Sequence, residues 1–95
     1  MAAYIIADLD ITDLEGFREY QQRVGATIEQ YGGKYLVRGE FAETIEGDCH
    51  THRMVMLEFE SVEQAKRWFN SEEYVAIAGI RHRTTKTQAI LVQGI

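Results

Sequence analysis

The order of two apolar periodicities along this chain limits its fold more than any other feature of the sequence. Residues 3–11 carry an apolar side chain at every second position, which is typical of a strand with one buried face. Thr12 and Glu15 then form a capping box, which predicts the start of a helix. Gly32-Gly33 predicts its end, because glycine readily takes the left-handed conformation that closes a helix. Between them the apolar residues recur every three or four positions, as Leu14, Phe17, Tyr20, Val24, Ile28 and Tyr31.

The rest of the chain repeats the same two patterns. Gly39 indicates a bend or bulge in the strand that follows the first helix. Ser61 and Gln64 form a second capping box, which predicts the start of a short helix. Asn70 interrupts that helix, and Ser71 is expected to cap a further helical segment. The three further strands that we predict are residues 34–46, 50–60 and 88–93.

Strand, helix, strand, strand, helix and strand therefore follow one another, which is the ferredoxin-like split βαβ pattern. We predict a single α+β domain over residues 1–95, because a chain of this length forms one compact unit. Right-handed crossovers place both helices on one face of a four-stranded antiparallel sheet. Within that sheet we expect the first and third strands to be parallel neighbours, and the second to pair antiparallel with the third.

Helices cover only one face of such a sheet, so the other face must meet solvent, a partner or a ligand. That face mixes apolar and charged side chains, which makes it too apolar to be left in water and too polar for an ordinary core. We therefore predict a homodimer in which two sheets pack face to face around a cavity. Alternation along the strands assigns these residues to it: Tyr4, Ile6, Asp8, Lys34, Leu36, Arg38, Met54, Met56 and Glu58. A bulge in the second strand would shift its three residues by one position.

Charge and cysteine content disfavour several classes of protein. The net charge is −5, whereas a nucleic-acid surface needs an excess of Lys and Arg. Cys49 is the single cysteine and cannot form an internal disulfide. No apolar run approaches the ~20 residues that span a bilayer, and the N-terminus has no basic stretch. We expect a cytoplasmic protein that binds neither nucleic acid nor a membrane.

Four motifs occur in order along the chain, which are YGGKYLVRG at residues 31–39, EG at 46–47, LEF at 57–59 and WFNSEEY at 68–74. Together they resemble a family of small bacterial proteins of unknown function that belongs to the dimeric α/β-barrel superfamily. The resemblance implies a homodimer whose two sheets form a barrel. The superfamily also holds cofactor-independent monooxygenases, muconolactone-type isomerases and haem enzymes, but the family supplies no catalytic residues. The chain has Glu60 and Glu72 where the family often has proline, which is favourable but dispensable at the start of a helix.

Asp8, Arg38 and Glu58 are the strongest candidates for a ligand site. A hairpin centred near Asp48 would place Arg38 opposite Glu58, with Asp8 at about the same level on the first strand. Two crowded carboxylates raise the pKa of one of them, which suits proton transfer, whereas an arginine orients an anionic group. The alternative is a structural ion-pair network at the dimer interface, since desolvated charges must pair. Tyr74 is a further candidate for the pocket lining, because buried tyrosines often keep a polar tip near solvent.

His50 and His52 are weak candidates for a metal site. They alternate on a predicted strand, so both imidazoles point to one face. A closed zinc site needs about four ligands, and no second cluster follows in the sequence. The interpretation that we favour is a polar hairpin turn with two exposed imidazoles. The sequence has no glycine-rich phosphate loop, nucleophile elbow or zinc-protease helix, and we expect no cofactor.

These features favour a small homodimeric protein that binds a small organic molecule, anionic or carbonyl-bearing, in a pocket at the barrel face. Any chemistry there would be cofactor-independent acid–base catalysis. The alternative is a non-catalytic interaction or stress-type protein whose sheet face is only a dimer interface. A regulatory ligand-binding domain of the same topology is a third hypothesis. A cavity of a few hundred cubic ångströms would distinguish binding from the second hypothesis.

Overall fold

A computed structural model describes residues 1–39 and 42–95 of the chain. Residues 40 and 41, which the sequence pattern assigns to the second strand, lie outside the described residues. The elements within the described ranges are β1 (Ala3–Ile11), α1 (Leu14–Gln30), β2 (Lys34–Arg38), β3 (Arg53–Phe59), α2 (Val62–Phe69), α3 (Glu72–Thr84) and β4 (Thr85–Gln93). This order confirms the ferredoxin-like α+β fold.

The described strands pair antiparallel throughout, in the order β2-β3-β1-β4. The prediction that the first and third strands run parallel is wrong, because Ala3 lies opposite Phe59 and Leu9 lies opposite Arg53. The reason is topological. α1 crosses over so that β2 runs parallel to β1, and the turn into β3 reverses the chain. β3 therefore fits between β1 and β2 antiparallel to both.

Polar side chains define where each helix begins. Ser61 and Ser71 cap α2 and α3 through their hydroxyl oxygens, as predicted. Asp13 caps α1 instead of Thr12: its carboxylate accepts the backbone N–H three residues ahead at 3.1 Å. The hydroxyl of Thr12 donates to the carbonyl of Thr84 at 3.1 Å. Among the described helices, none is both long enough and apolar enough to cross a membrane.

Three strand boundaries differ from the predictions by three residues or more. β2 ends at Arg38 and not at residue 46, and β3 begins at Arg53 and not at residue 50. The intervening segment is polar and acidic, and its described part adds no rungs to the sheet. β4 begins at Thr85, directly after α3, because Thr85 pairs with Ile11 of β1. Its first four residues, Thr85 to Gln88, are all polar, so the sequence gives no apolar alternation that would mark this part of the strand.

The face of the sheet that the described helices leave uncovered is called the open face here. Ile90 is 61% exposed and Val92 is 38% exposed, and both point to this side. Two of its charged residues form an ion pair, since Lys34 Nζ lies 3.1 Å from Glu58 Oε1. The apolar side chains of the open face are Tyr4, Ile6, Val37, Met54, Met56, Ile90 and Val92.

A β-bulge changes which residues of β2 belong to the open face. The pairing with β3 shifts by one residue after Tyr35, which leaves Leu36 as the extra residue. The sequence places this irregularity near Gly39 instead. Beyond the bulge each side chain points to the opposite face from the one that regular alternation predicts. Arg38 therefore lies opposite Val55 on the helix-covered face, and its assignment to the open face is wrong.

The hydrophobic core lies between the helices and the other face of the sheet. Phe17, Phe59 and Ile77 are almost completely buried, and each contributes about 1.5–3 kcal/mol through burial. The Phe59 ring packs on Trp68 with 5.6 Å between ring centroids. Gly33 approaches that ring so closely that a Cβ would lie 2.5 Å from it. A side chain at Gly33 would therefore force Phe59 out of the core.

Candidate functional site

A cavity of about 540 Å³ lies between the helices and the helix-covered side of the sheet. Its floor is formed by small side chains in the middle of the sheet. Ala7 of β1 lies between Val55 of β3 and Ala89 of β4, and all three line the cavity. Longer side chains at these positions would fill the space beneath the helices. The volume falls within the range of roughly 300–1,000 Å³ that is usual for small-molecule sites.

The walls of the cavity are mostly apolar and aromatic. Gln21 and Gly25 of α1 line it one helical turn apart. Trp68 of α2 and Tyr74 of α3 are buried, and their ring centroids lie 4.2 Å apart. The indole N–H of Trp68 donates to the hydroxyl of Thr27 at 2.9 Å, which fixes the orientation of the ring. These contacts give the cavity a rigid aromatic wall.

Tyr20 and Tyr74 bring their hydroxyl groups together at the cavity, with 2.9 Å between the oxygens. Arg81 Nε donates to the Tyr74 hydroxyl at 3.0 Å. One hydroxyl proton lies between the two oxygens, and the described residues offer no acceptor for the second. Burial, reinforced by the neighbouring Tyr74, raises the pKa of the Tyr20 hydroxyl and keeps it protonated. The pair therefore has one hydrogen bond to donate to a bound molecule.

Tyr35, Arg38 and Arg53 form a second polar group on the lining. The guanidinium carbon of Arg38 lies 4.2 Å from the centroid of the Tyr35 ring, which is cation–π geometry. Arg53 Nη2 donates to the backbone carbonyl of Arg38 at 3.2 Å and so joins the ends of β2 and β3. Burial raises the pKa of the Tyr35 hydroxyl, while the two guanidinium groups partly oppose this rise. Tyr35 is therefore a hydrogen-bond donor at neutral pH.

The described lining of the cavity is basic, whereas the chain as a whole is acidic. Arg38, Arg53 and Arg81 line it, and the described lining residues include no Asp or Glu. His82 also lines it, with Nε2 lying 3.1 Å from Arg81 Nη2. The whole chain carries a net charge of −5, so composition does not account for a basic cavity. Positive charge beside an apolar wall suits an organic anion.

A comparison with known protein families identifies the family of this chain. The domain of unknown function DUF1330 matches residues 2–95. The chain belongs to the DUF1330 family. No curated protein matches it.

Several solved structures share the fold of this DUF1330 protein at low sequence identity. The RPA0582 protein of unknown function from Rhodopseudomonas palustris has a TM-score of 0.81 at 17% identity, over 99% of this chain and 82% of that chain. SnoaB, a cofactor-independent oxygenase from Streptomyces nogalater, has a TM-score of 0.68 at 8% identity, over 99% and 93%. An ethyl tert-butyl ether D family protein from Bacillus halodurans has a TM-score of 0.62 at 13% identity, over 100% of both chains. At these identities the likeness shows the fold alone.

Two of the four predicted ligand-site residues of the DUF1330 protein line the cavity, namely Arg38 and Tyr74. Asp8 and Glu58 lie on the open face instead. Because Glu58 stands opposite residue 4 of β1, it is four positions from Asp8, roughly 13 Å along the strand. The predicted convergence of Asp8, Arg38 and Glu58 is therefore wrong. The cavity lies on the opposite side of the sheet from the predicted pocket.

Sequence reasoning does not select seven other polar residues of the described lining, which are Tyr20, Gln21, Tyr35, Arg53, Arg81, His82 and Thr87. Tyr20 falls on the apolar stripe of α1, where its hydroxyl gives no separate signal. Arg53 could have been identified from the sequence, because it points to the same face of β3 as the apolar Val55. A cation at a position where alternation calls for an apolar side chain needs a polar environment. Arg81 is masked by its basic neighbours at the end of α3, where the helix dipole alone favours cations.

Of the two histidines proposed as weak metal candidates, His52 lies beside carboxylates of β1. His52 Nδ1 lies 2.9 Å from Asp8 Oδ2, and the backbone N–H of His52 donates to Asp8 Oδ1 at 2.7 Å. Its Nε2 lies 3.8 Å from Asp10 Oδ2. The hydrogen bond to Asp8 raises the pKa of the His52 imidazole. Within residues 1–39 and 42–95, no group of three His, Cys, Asp or Glu side chains is placed to hold a metal ion.

Proposed function

We propose that this DUF1330 protein binds a small organic anion in the cavity between its helices and its sheet. The supporting observation is the placement of Arg38, Arg53 and Arg81 around an apolar cavity whose described lining has no carboxylate. An apolar wall with a few converging polar groups is the usual composition of a small-molecule site. The volume of about 540 Å³ supports binding over a fold that serves only as an interface.

Arginine determines the chemical class of the ligand in this proposal. Its guanidinium presents a planar fork of donors that matches the two oxygens of a carboxylate. A hydrogen bond of this kind contributes about 1.5–3 kcal/mol when water is excluded. Tyr35 and the Tyr20–Tyr74 pair add hydroxyl donors to the same cavity. The ligand therefore carries a carboxylate, phenolate or enolate oxygen on an apolar body.

The described lining of this cavity offers tyrosine hydroxyls and no carboxylates. Asp8 and Glu58, the hypothesised proton carriers, lie on the open face. Because the pKa of Tyr20 is raised, its hydroxyl donates a hydrogen bond and does not act as a base at neutral pH. Donors held around the oxygen of a bound anion stabilise its negative charge. The fold is shared with SnoaB, a cofactor-independent oxygenase, but fold does not determine reaction.

Isothermal titration calorimetry with 2-naphthoate tests the proposal. The neutral comparison is 2-naphthalenemethanol, which has the same ring system and no charge. We expect 2-naphthoate to bind at least ~10-fold more tightly than the alcohol, because one charge-assisted hydrogen bond is worth about 1.4 kcal/mol or more.

Arginine variants show where the anion binds. Arg38→Gln and Arg53→Gln should each weaken 2-naphthoate binding at least ~10-fold, through loss of a charge-assisted hydrogen bond. Arg67→Gln is the matched control, because Arg67 is exposed on α2 and contacts Gln64 Oε1 at 3.4 Å outside the cavity. Unchanged affinity in both cavity variants would contradict the proposal. If neither the parent protein nor any variant binds 2-naphthoate, the result favours the hypothesis of a non-catalytic interaction protein.

We also propose that the protein is a homodimer joined through the open face. Ile90 and Val92 of this face are 61% and 38% exposed, and monomers rarely leave a contiguous apolar patch of this kind in water. Packing two such faces together gives the dimeric barrel that the sequence resemblance implies. Each protomer then keeps its own cavity on the opposite side of its sheet. Light scattering should give the mass of two chains at micromolar concentration, and a single-chain mass would contradict the proposal. The cytoplasmic location expected from the sequence stays a prediction.

A further inference from the structure

Gly25 lies in the middle of α1, where glycine is about 1 kcal/mol less favourable than alanine. Gly16 of the same helix has a steric reason, since a Cβ there would lie 2.7 Å from Asp13 and 2.9 Å from Thr84. A Cβ at Gly25 would meet no described atom within 4 Å, and its φ is not positive. Neither crowding nor backbone conformation therefore explains this glycine.

Gly25 lines the cavity from α1 and has open space in front of it. It is half-buried, and Gln21, one turn earlier on the same side of α1, is exposed. On the sheet side, Ala7 and Ala89 are direct neighbours in the cavity floor. Small residues thus border the same space from the helix and from the sheet. A space that is kept open from two sides fits a ligand with a bulky body.

We propose that Gly25 is a specificity-determining residue that admits a planar body of about two fused rings, so that the ligand is a bulky aromatic anion and not a short-chain acid. This inference rests on the proposed function. The rings of Trp68 and Tyr74 line the cavity, and aromatic rings pack well against other rings in offset or edge contacts. The volume of about 540 Å³ also exceeds what a short aliphatic acid needs.

Benzoate and 2-naphthoate carry the same carboxylate and differ by one fused ring, so comparing their affinities isolates the effect of size. Gly25→Leu places a side chain on the cavity lining. Ala26→Leu adds the same side chain to the next residue of α1, which is exposed and does not line the cavity. The parent protein and Ala26→Leu should prefer 2-naphthoate by at least ~10-fold. Gly25→Leu should weaken 2-naphthoate at least ~10-fold and leave benzoate within about threefold.

Gly25→Ala is a second variant with little risk to folding. It should raise the melting temperature, because alanine is the better helix former. It should also weaken the binding of 2-naphthoate by a smaller factor than Gly25→Leu does and leave the binding of benzoate unchanged. Circular dichroism confirms the fold of each variant, and Gly25→Ala decides the test if Gly25→Leu does not fold.

The outcomes separate this inference from the proposed function. If the Gly25 variants leave both affinities unchanged, or weaken both acids equally, Gly25 does not select ligand size and the inference is overturned. The proposed function still stands in that case, provided that the parent protein binds 2-naphthoate and Arg53→Gln weakens it. If the parent protein binds neither acid, both proposals are overturned.

Discussion

Tyr74→Phe removes the hydroxyl that takes part in two hydrogen bonds at the cavity. The hydroxyl lies 2.9 Å from that of Tyr20, and a neutral hydrogen bond of this kind contributes about 1 kcal/mol. It also accepts from Arg81 Nε at 3.0 Å. Arg81 is half-buried, so water replaces part of this bond and we assign it about 1 kcal/mol. Tyr74→Phe should therefore lower the free energy of unfolding by about 2 kcal/mol, and Tyr20→Phe by about 1 kcal/mol.

The two substitutions share one hydrogen bond, so their effects should not add. The double variant should lose about 2 kcal/mol, the same as Tyr74→Phe alone, which is a coupling energy of about 1 kcal/mol. Urea unfolding followed by the fluorescence of Trp68 measures these values. Protomer concentration must be held constant, because the stability of a dimer depends on it. If Tyr20→Phe costs as much as Tyr74→Phe, or if the two costs add, the hydroxyl pair is not the stabilising unit described here.

Met56→Asp should convert the dimer to monomers, because an unpaired charge in a buried interface costs several kcal/mol. If light scattering still gives the mass of a dimer, the open face is not the interface. Gly33→Ala should lower the free energy of unfolding by about 1–3 kcal/mol in urea, because its Cβ would lie 2.5 Å from the Phe59 ring; an unchanged value would mean that the ring can move aside. The Asp8 hydrogen bond raises the pKa of His52, so its contribution to stability is complete below about pH 6.5 and is lost as the pH rises through the raised value. The difference in melting temperature between the parent protein and His52→Gln should therefore shrink from pH 6 to pH 9, and a constant difference would refute this assignment.

Features that depend on neighbouring residues could be predicted from the sequence. Each strand or helix keeps its own periodicity, and the caps at Ser61 and Ser71 need only a hydroxyl and a backbone N–H three residues ahead. The first cap shows the limit of such reasoning. Thr12 and Asp13 both have side chains that can cap a helix, and the hydroxyl of Thr12 is instead bound to the carbonyl of Thr84, 72 residues away.

The site depends on features that the sequence does not mark. Leu36 carries no sign that it is the extra residue of a bulge, whereas Gly39 is the visible candidate, so alternation assigns Arg38 to the wrong face. The cavity is also invisible along the chain. Ala7 and Ala89 are unexceptional strand residues until pairing of the first strand with the last places them side by side.

Because of the extra residue in β2, Arg38 lies on the cavity side although counting along the strand assigns it to the open face. Deletion of Leu36 would let β2 pair with β3 in regular alternation and would leave Arg38 opposite Val55 on the cavity side. Loss of this single codon would therefore remove the bulge and keep the positive charge in the ligand site. Within the DUF1330 family, a one-residue gap between positions 35 and 37 would mark proteins in which the cation keeps its side of the sheet without a bulge. An alignment that overlooks such a gap would equate residues from opposite sides of the sheet.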